Sequence, residues 1–433
     1  MNVVIIGNHA AGLSAAETLR KNDAKCDITV ISKEKVPPYS RCLIPYIVSG
    51  EKTVDEILFK PADFYKTNSI KAMLGVEAEK ILPKEKAVVL KKGKKVPYDA
   101  LIVATGATPS FPRIPGVKLK GVFGFRTLKD AENIIKYCDE NNVESAVVAG
   151  GGLVGIKAAV ALHVRGKKVK IVVGSPNILS QIVAGCEAEI FESHLRELGI
   201  EIHTRTDPAK ILGKKNVDGI ESTEGAKIDC QLVVVGKGVS ANKEIVEGTD
   251  IKTEYGIVID DQCRTNVTDI YAAGDVTQSR DDVRKQNWLN ALWPMAVEEG
   301  RVAADAILGK STVLRPRTSM NSFKIGHVPL ISCGLTGARE EVEGSETVKV
   351  KGPGKYEHKR FIFKDGCLVG FALVGKVDNA GILTSLVTRG INVSKVKEHI
   401  IAGRFDLPTM LPLIMENKEK FKELEYQEVF EFF

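Results

Sequence analysis

The chain has 433 residues, 44% of them hydrophobic and 27% charged, with 61 basic against 55 acidic side chains and a net charge of +6. That length exceeds one ordinary core and predicts two or three domains. The charge is spread along the chain, and the lysine clusters KKGKK (91–95) and GKKVK (166–170) carry no interleaved aromatic residues, which argues against a nucleic-acid-binding class.

The chain opens directly on the strand-like run VVIIG (3–7), with no basic leader, and no apolar segment reaches membrane-spanning length. A cytoplasmic location without a membrane partner is therefore expected. The turn after that strand is GNHAAG (7–12). A dinucleotide fingerprint needs glycine where the backbone approaches a pyrophosphate and where the helix lies close to the strand. Gly7 and Gly12 meet that need, while His9 takes the place of the middle glycine. The helix LSAAETLRK and the strand CDITVIS (26–32) complete a βαβ unit. Just beyond that strand Glu34 is the candidate partner of an adenosine ribose, although Ser32 holds the more usual position.

Next comes PPYSRCLIPY (37–46), with Cys42 between a Pro-Tyr turn and an apolar run. The eight cysteines are scattered, without a CxxC pair, which argues against a disulfide framework, a zinc site or an iron–sulfur cluster. No metal ligands are assigned. Cys42 is either a single-sulfur redox centre or a small buried hydrophobe. A place at a helix start, beside Arg41, is expected to lower its pKa and favour thiolate.

The strand-turn YDALIVATGATP (98–109) closes the first unit. The same order then recurs at residues 145–173, where the turn GGGLVG supplies the complete fingerprint with Gly150, Gly152 and Gly155. The acid expected near Val173 is missing, and no arginine follows the strand to hold a 2′-phosphate, so NAD and NADP both stay open. CQLVVVGKGVSAN (230–242) and DIYAAGDV (269–276) are further strand-turns, and NALWPMAVEEGRVAADAILG reads as a helix. Near Arg315 the texture changes. RPRTSMNS reads as a linker, and KRFIFKDGCLVGFALVG as a hairpin around Lys-Asp-Gly, with helical segments closing the chain. The fold class is thus α/β, with two doubly wound dinucleotide-binding domains and an α+β domain at the carboxyl end.

VVIIGNHAAG, LIVATGATP, GGGLVG and TDIYAAGDV together resemble, in order and spacing, the FAD-dependent pyridine nucleotide–disulfide oxidoreductase superfamily. The resemblance covers roughly residues 1 to 310 and implies a glutathione-reductase-like architecture. It divides the chain into an FAD-binding domain (1–110 and 243–314), an NAD(P)-binding domain (111–242) and a dimerisation domain (315–433). By the same resemblance FAD is held by Gly7, Gly12, Glu34, Arg41, Thr105, Gly106, Gly274 and Asp275, the last toward the ribityl chain. NAD(P)H, the co-substrate, docks on Gly150, Gly152 and Gly155. YSRCLIPY is similar to the stretch that places one catalytic cysteine beside the flavin in NADH oxidases, NADH peroxidases and coenzyme A-disulfide reductases, with Cys42, Pro45 and Tyr46 in register.

Some features depart from that branch. Leu43 replaces a glycine, Lys157 a glutamate, and FDLPTMLP (405–412) stands where a Tyr-Ala-Pro-Pro stretch is usual. NADH peroxidases carry a histidine one position after His9, where this chain has Ala10. His9 either lines the flavin site or turns toward solvent or the adenine side. NALWPMAVEEGR and SMNSFKIG look more like rubredoxin reductases, nitrite reductase flavin domains and flavin subunits of larger oxidoreductases. Two functions follow. One is a self-contained homodimeric NAD(P)H oxidoreductase passing electrons through Cys42 to oxygen, peroxide or a low-molecular-weight disulfide such as coenzyme A disulfide. The other is an electron-transfer subunit of a larger complex, linking NAD(H) to an iron–sulfur protein or rubredoxin. A dinucleotide sensor without flavin is the third, non-enzymatic reading.

Overall fold

A computed structural model describes residues 1–338 and 343–421. The last residues of the expected dimerisation domain, 422–433, lie outside the described residues. Two compact units emerge: residues 1–178, 195–280 and 287–315 form the first, and residues 179–194, 281–286 and 316 onward form the second.

In the first unit the chain runs through β1 (Asn2–Ile6), α1 (Ala10–Asn22), β2 (Asp27–Ser32), the short helix α2 (Ile44–Ser49), β3 (Ile70–Leu74) and β4 (Ala100–Val103). It continues through β5 (Val122–Phe123), α3 (Leu128–Glu140), β6 (Ser145–Ala149), α4 (Leu153–Val164), β7 (Lys168–Val173), β8 (Glu201–Thr204) and β9 (Leu232–Val235). β10 (Ile270–Ala272) and α5 (Trp293–Ile307) follow. Two parallel sheets result, in the orders β10-β4-β1-β2-β3 and β8-β7-β6-β9-β5. Their central strands are continuous Val/Ile/Leu/Ala runs because both faces are covered, and β4 and β9 are buried at every residue. In each sheet the helix after the first strand packs back on it, giving the right-handed βαβ crossover of a doubly wound fold.

In each sheet a three-stranded antiparallel ribbon is inserted in the chain just before a central strand, β4 in the first and β9 in the second. The first uses Ala78–Leu82, Ala87–Leu90 and Lys95–Pro97; the second uses Pro208–Leu212, Gly219–Ser222 and Lys227–Asp229. This repeat is not evident from periodicity, since strands of three to five residues are too short to show it.

Gly300 lets α5 pack closely on α1, and Gly12 lets α1 pack closely on the turn after β1. A Cβ at Gly300 would lie 2.1 Å from the Ala11 carbonyl oxygen, and one at Gly12 would lie 2.1 Å from that of Gly7. Removing those side chains brings the amino end of α1 onto the β1 turn, which is what positions the site.

The second unit holds an antiparallel sheet in the order β11-β12-β15-β14-β13, formed by β11 (Met320–Ile325), β12 (Val328–Gly334), β13 (Glu346–Lys351), β14 (His358–Lys364) and β15 (Cys367–Val374). β14 and β15 join through the Asp365-Gly366 turn, with Lys364 paired to Cys367. Helix α6 (Ala380–Arg389) places Leu383, Leu386 and Val387 in the core on this sheet. RPRTSMNS holds the expected boundary, since the first unit ends at Arg315 and the second resumes at Pro316, but it is packed and not a loose linker. Arg317 and Thr318 are buried, the Thr318 hydroxyl donates to the Asp281 carboxylate at 2.9 Å, and β11 begins at Met320. A polar stretch can be read as a linker until its partners are known, and here they are distant in sequence.

Candidate functional site

A cavity of about 790 Å³ lies at the carboxyl ends of β1, β2 and β4. Open parallel sheets present their ligand crevice there, where adjacent crossovers diverge. Gly7, Glu34, Arg41, Thr105, Gly106, Gly274 and Asp275 all line it. Gly12 does not; it acts beneath, as the glycine on which the turn rests. Gly7 has φ of +133° and stands so close to β4 that a Cβ would lie 2.0 Å from the Ala104 carbonyl oxygen. Only glycine suits that position.

At one end of the cavity Glu34 is held from two sides. Tyr39 donates its hydroxyl to Glu34 Oε2 at 2.6 Å, and Arg41 forms an ion pair with Oε1. Arg41 also donates to the Arg126 carbonyl at 3.1 Å. Buried Tyr39 in turn accepts from the Leu128 amide at 3.0 Å. Burial, more than these bonds, pushes the Tyr39 phenol far above its ordinary value.

At the other end Arg126 pairs with Asp275 at 2.6 Å, both about four-fifths covered. Arg126 Nε is buried and has no hydrogen-bond partner among the described residues. The Asp275 turn is secured from below by Glu299 on α5, which accepts from the Gly274 amide at 2.7 Å and the Thr277 hydroxyl at 2.9 Å.

Cys42 lies in a 3₁₀ turn (Arg41–Leu43) that precedes the six-residue α2. It is exposed. Although the residue as a whole is exposed, the atoms packed around its thiol displace enough water to push it above the ordinary value, and the charge of Asp275 adds to this; Arg126 acts in the opposite direction. The expected thiolate is therefore corrected. The turn is too short to project a helix dipole, and Arg41 spends its charge on Glu34 rather than on the sulfur. Cys42 itself is not among the residues lining the cavity; it follows Arg41, which is, and its thiol feels the charges of Asp275 and Arg126, which also line it.

His9 is not turned to solvent. Its Nε2–H donates to the Tyr39 carbonyl at 2.8 Å, and its ring meets Trp293 edge-on at 4.8 Å and Phe59 at 5.8 Å. Burial, then Arg41, lowers its pKa to about 3, so the imidazole is neutral.

The second turn repeats the construction in the other sheet. Gly150 has φ of +132°, and a Cβ there would lie 2.3 Å from the Gly236 carbonyl oxygen. A Cβ at Gly155 would lie 2.1 Å from the Gly150 carbonyl oxygen, whereas Gly152, the N-cap of α4, faces open space. Two glycines serve packing and the third leaves the backbone accessible.

A profile of the pyridine nucleotide-disulphide oxidoreductase family matches residues 1–300. The chain belongs to that family. It is similar to an NADH oxidase of Methanocaldococcus jannaschii, 32% identical over 393 residues, which cover 87% of this chain and 88% of the relative. The epsilon subunit of NADH-dependent phenylglyoxylate dehydrogenase from Aromatoleum evansii is 28% identical over 414 residues, 92% of this chain and 94% of that one. Among solved structures, the NAD-dependent persulfide reductase from A. fulgidus superposes with a TM-score of 0.86 at 28% identity, covering 92% of this chain and 79% of the other.

Membership makes this chain an oxidoreductase dependent on FAD and NAD(P)H. The first cavity fits the flavin nucleotide by its own features. Its volume of about 790 Å³ falls within the roughly 300–1,000 Å³ of small-molecule sites. Carboxylates at both ends suit the hydroxyls of a ribose and a ribityl chain, and Arg126 brings a buried N–H without an acceptor among the described residues. Sequence reasoning missed Arg126, Tyr39 and Glu299, because none belongs to a glycine motif. The one available signal was FRTLKD (125–130), whose Thr127 and Asp130 form a capping box that fixes Arg126 at the mouth of α3. Among the described residues no helix is long and apolar enough to cross a membrane, and no group of three or more His, Cys, Asp or Glu side chains is placed to hold a metal.

Proposed function

We propose that this chain passes electrons from NAD(P)H to a small sulfur-containing or oxygen acceptor through Cys42, working as a homodimer in the cytoplasm. The observation that supports it is the position of Cys42, whose thiol feels the charges of two residues lining the flavin cavity, Asp275 and Arg126. FAD would rest on Gly7, Glu34, Arg41, Thr105, Gly106, Gly274 and Asp275, with Gly12 supporting the turn from beneath, and NAD(P)H would dock over the turn at Gly152, which Gly150 and Gly155 hold in shape. Held there, FAD would supply the two-electron chemistry that links NAD(P)H to an acceptor. An oxidised Cys42, as sulfenic acid or mixed disulfide, returns to the thiol on taking two electrons and two protons, releasing water or the second thiol. Arg126 stabilises negative charge on the sulfur, and Asp275 restrains it, so the resting group is a thiol. The persulfide reductase and NADH oxidase relatives act in their own names on acceptors of these two kinds.

The test is an anaerobic titration with NADH of the FAD-loaded, as-isolated protein. Wild type takes up about two more electrons per subunit than Cys42→Ser before the flavin absorbance is fully lost. Equal uptake overturns the role of Cys42. It would favour the second reading, an electron-transfer subunit, which the near full-length match to a dehydrogenase epsilon subunit supports independently.

A further inference from the structure

The second nucleotide turn lacks an acid at the end of β7, where one normally receives the adenosine ribose hydroxyls. The fold restores that acid from elsewhere. β8 pairs with β7 as far as Thr204 opposite Val173. The chain then bends over the end of β7: Arg205 takes φ of +55°, its amide donates to the Ser175 carbonyl at 3.0 Å, and the Thr206 amide donates to the Val173 carbonyl at 2.9 Å. Asp207 follows, with its own carbonyl accepting from the Thr223 amide at 2.8 Å.

That bend delivers the Asp207 carboxylate into the space a side chain at position 174 would occupy. A Cβ built on Gly174 would lie 2.5 Å from Asp207 Oδ2 and 2.7 Å from its Cγ. Nothing in the backbone of Gly174 requires glycine, since its φ is not in the left-handed region. On the other side of the turn Lys237, two residues beyond β9, pairs with Asp207 Oδ1. In the order β8-β7-β6-β9 this ion pair reaches across the carboxyl ends of β7 and β6, over which the Gly150–Gly155 turn opens. Asp207 stays partly accessible.

We infer that Asp207 is the recognition residue for the adenosine ribose hydroxyls of the pyridine nucleotide, making this chain specific for NADH over NADPH. The inference rests on the oxidoreductase reading above and names the nucleotide it left open. A carboxylate accepts from the 2′- and 3′-hydroxyls but repels a 2′-phosphate. Lys237 holds the carboxylate in place while the site is free, and its single charge is already paired.

The test measures dissociation constants of NAD⁺, NADP⁺ and 2′-deoxy-NAD⁺ by calorimetry on the FAD-loaded protein. Wild type binds NAD⁺ at least tenfold more tightly than NADP⁺ and loses about tenfold on removal of the 2′-hydroxyl. Asp207→Ala abolishes the 2′-deoxy penalty and narrows the NAD⁺/NADP⁺ ratio about tenfold or more. Gly174→Ala, which displaces the carboxylate without deleting it, shifts both in the same direction and carries the test if Asp207→Ala does not fold. A 2′-deoxy penalty that survives in both variants, or a wild type that prefers NADP⁺, overturns the assignment alone. A wild type that binds none of the three overturns the parent reading as well.

Discussion

Tyr39 connects His9 to Glu34, with its carbonyl on His9 and its hydroxyl on Glu34, three residues before Cys42. His9 answers to pH through stability rather than catalysis. Its folded pKa is about 3 against 6.5 when unfolded, so below pH 6.5 the unfolded chain gains a proton that the fold refuses. Stability is full above pH 6.5 and falls by about 1.4 kcal/mol per pH unit down to about pH 3. Urea unfolding at pH 4.5 and 7.5 is expected to show wild type losing about 2–3 kcal/mol more than His9→Gln, which keeps a donor for Tyr39. Equal losses would assign the acid sensitivity to other groups. For Cys42 the charge order predicts that Asp275→Asn raises the rate of thiol alkylation at pH 8 by roughly three- to tenfold, because it removes the anion that opposes the thiolate. Arg126→Ala is expected to slow it. The glycines of both turns were legible at this scale because a backbone constraint leaves a mark on one position. Arg126 was not, because its partner Asp275 is 149 residues away.

At the scale of elements, the α1–α5 contact joins the beginning of the first domain to its end. The approach depends on Gly300, whose added Cβ would meet the Ala11 carbonyl oxygen at 2.1 Å. Gly300→Ala is expected to cost about 1–3 kcal/mol by overpacking. It should also lower FAD content, because α1 carries the amino end of the turn below the cavity. Differential scanning calorimetry and the flavin-to-protein absorbance ratio read the two effects separately; an unchanged melting temperature would show that α5 can shift without cost. The βαβ elements were legible in full, since buried parallel strands are unbroken apolar runs. The antiparallel ribbons and β11 were not, because short strands with one wet face do not differ from loops in composition.

At the scale of the whole chain, the third domain is the proposed dimer interface, and sedimentation equilibrium should give twice the chain mass of 47.1 kDa. A single-chain mass would remove the homodimer and leave the flavin site as described, since every residue lining its cavity belongs to the first unit. The order of four motifs determined the family, the fold class and the cofactors from the sequence alone. Each of those motifs is local: a strand, a turn whose backbone needs glycine, and the helix after it. Tertiary structure alone decided what distant segments bring to those turns. It set Arg126 against Asp275, turned His9 inward onto Trp293, withheld Arg41 from Cys42 and carried Asp207 to the side of Gly174. A turn writes its requirement into its own residues, whereas a charge acts through space on whatever the fold sets beside it.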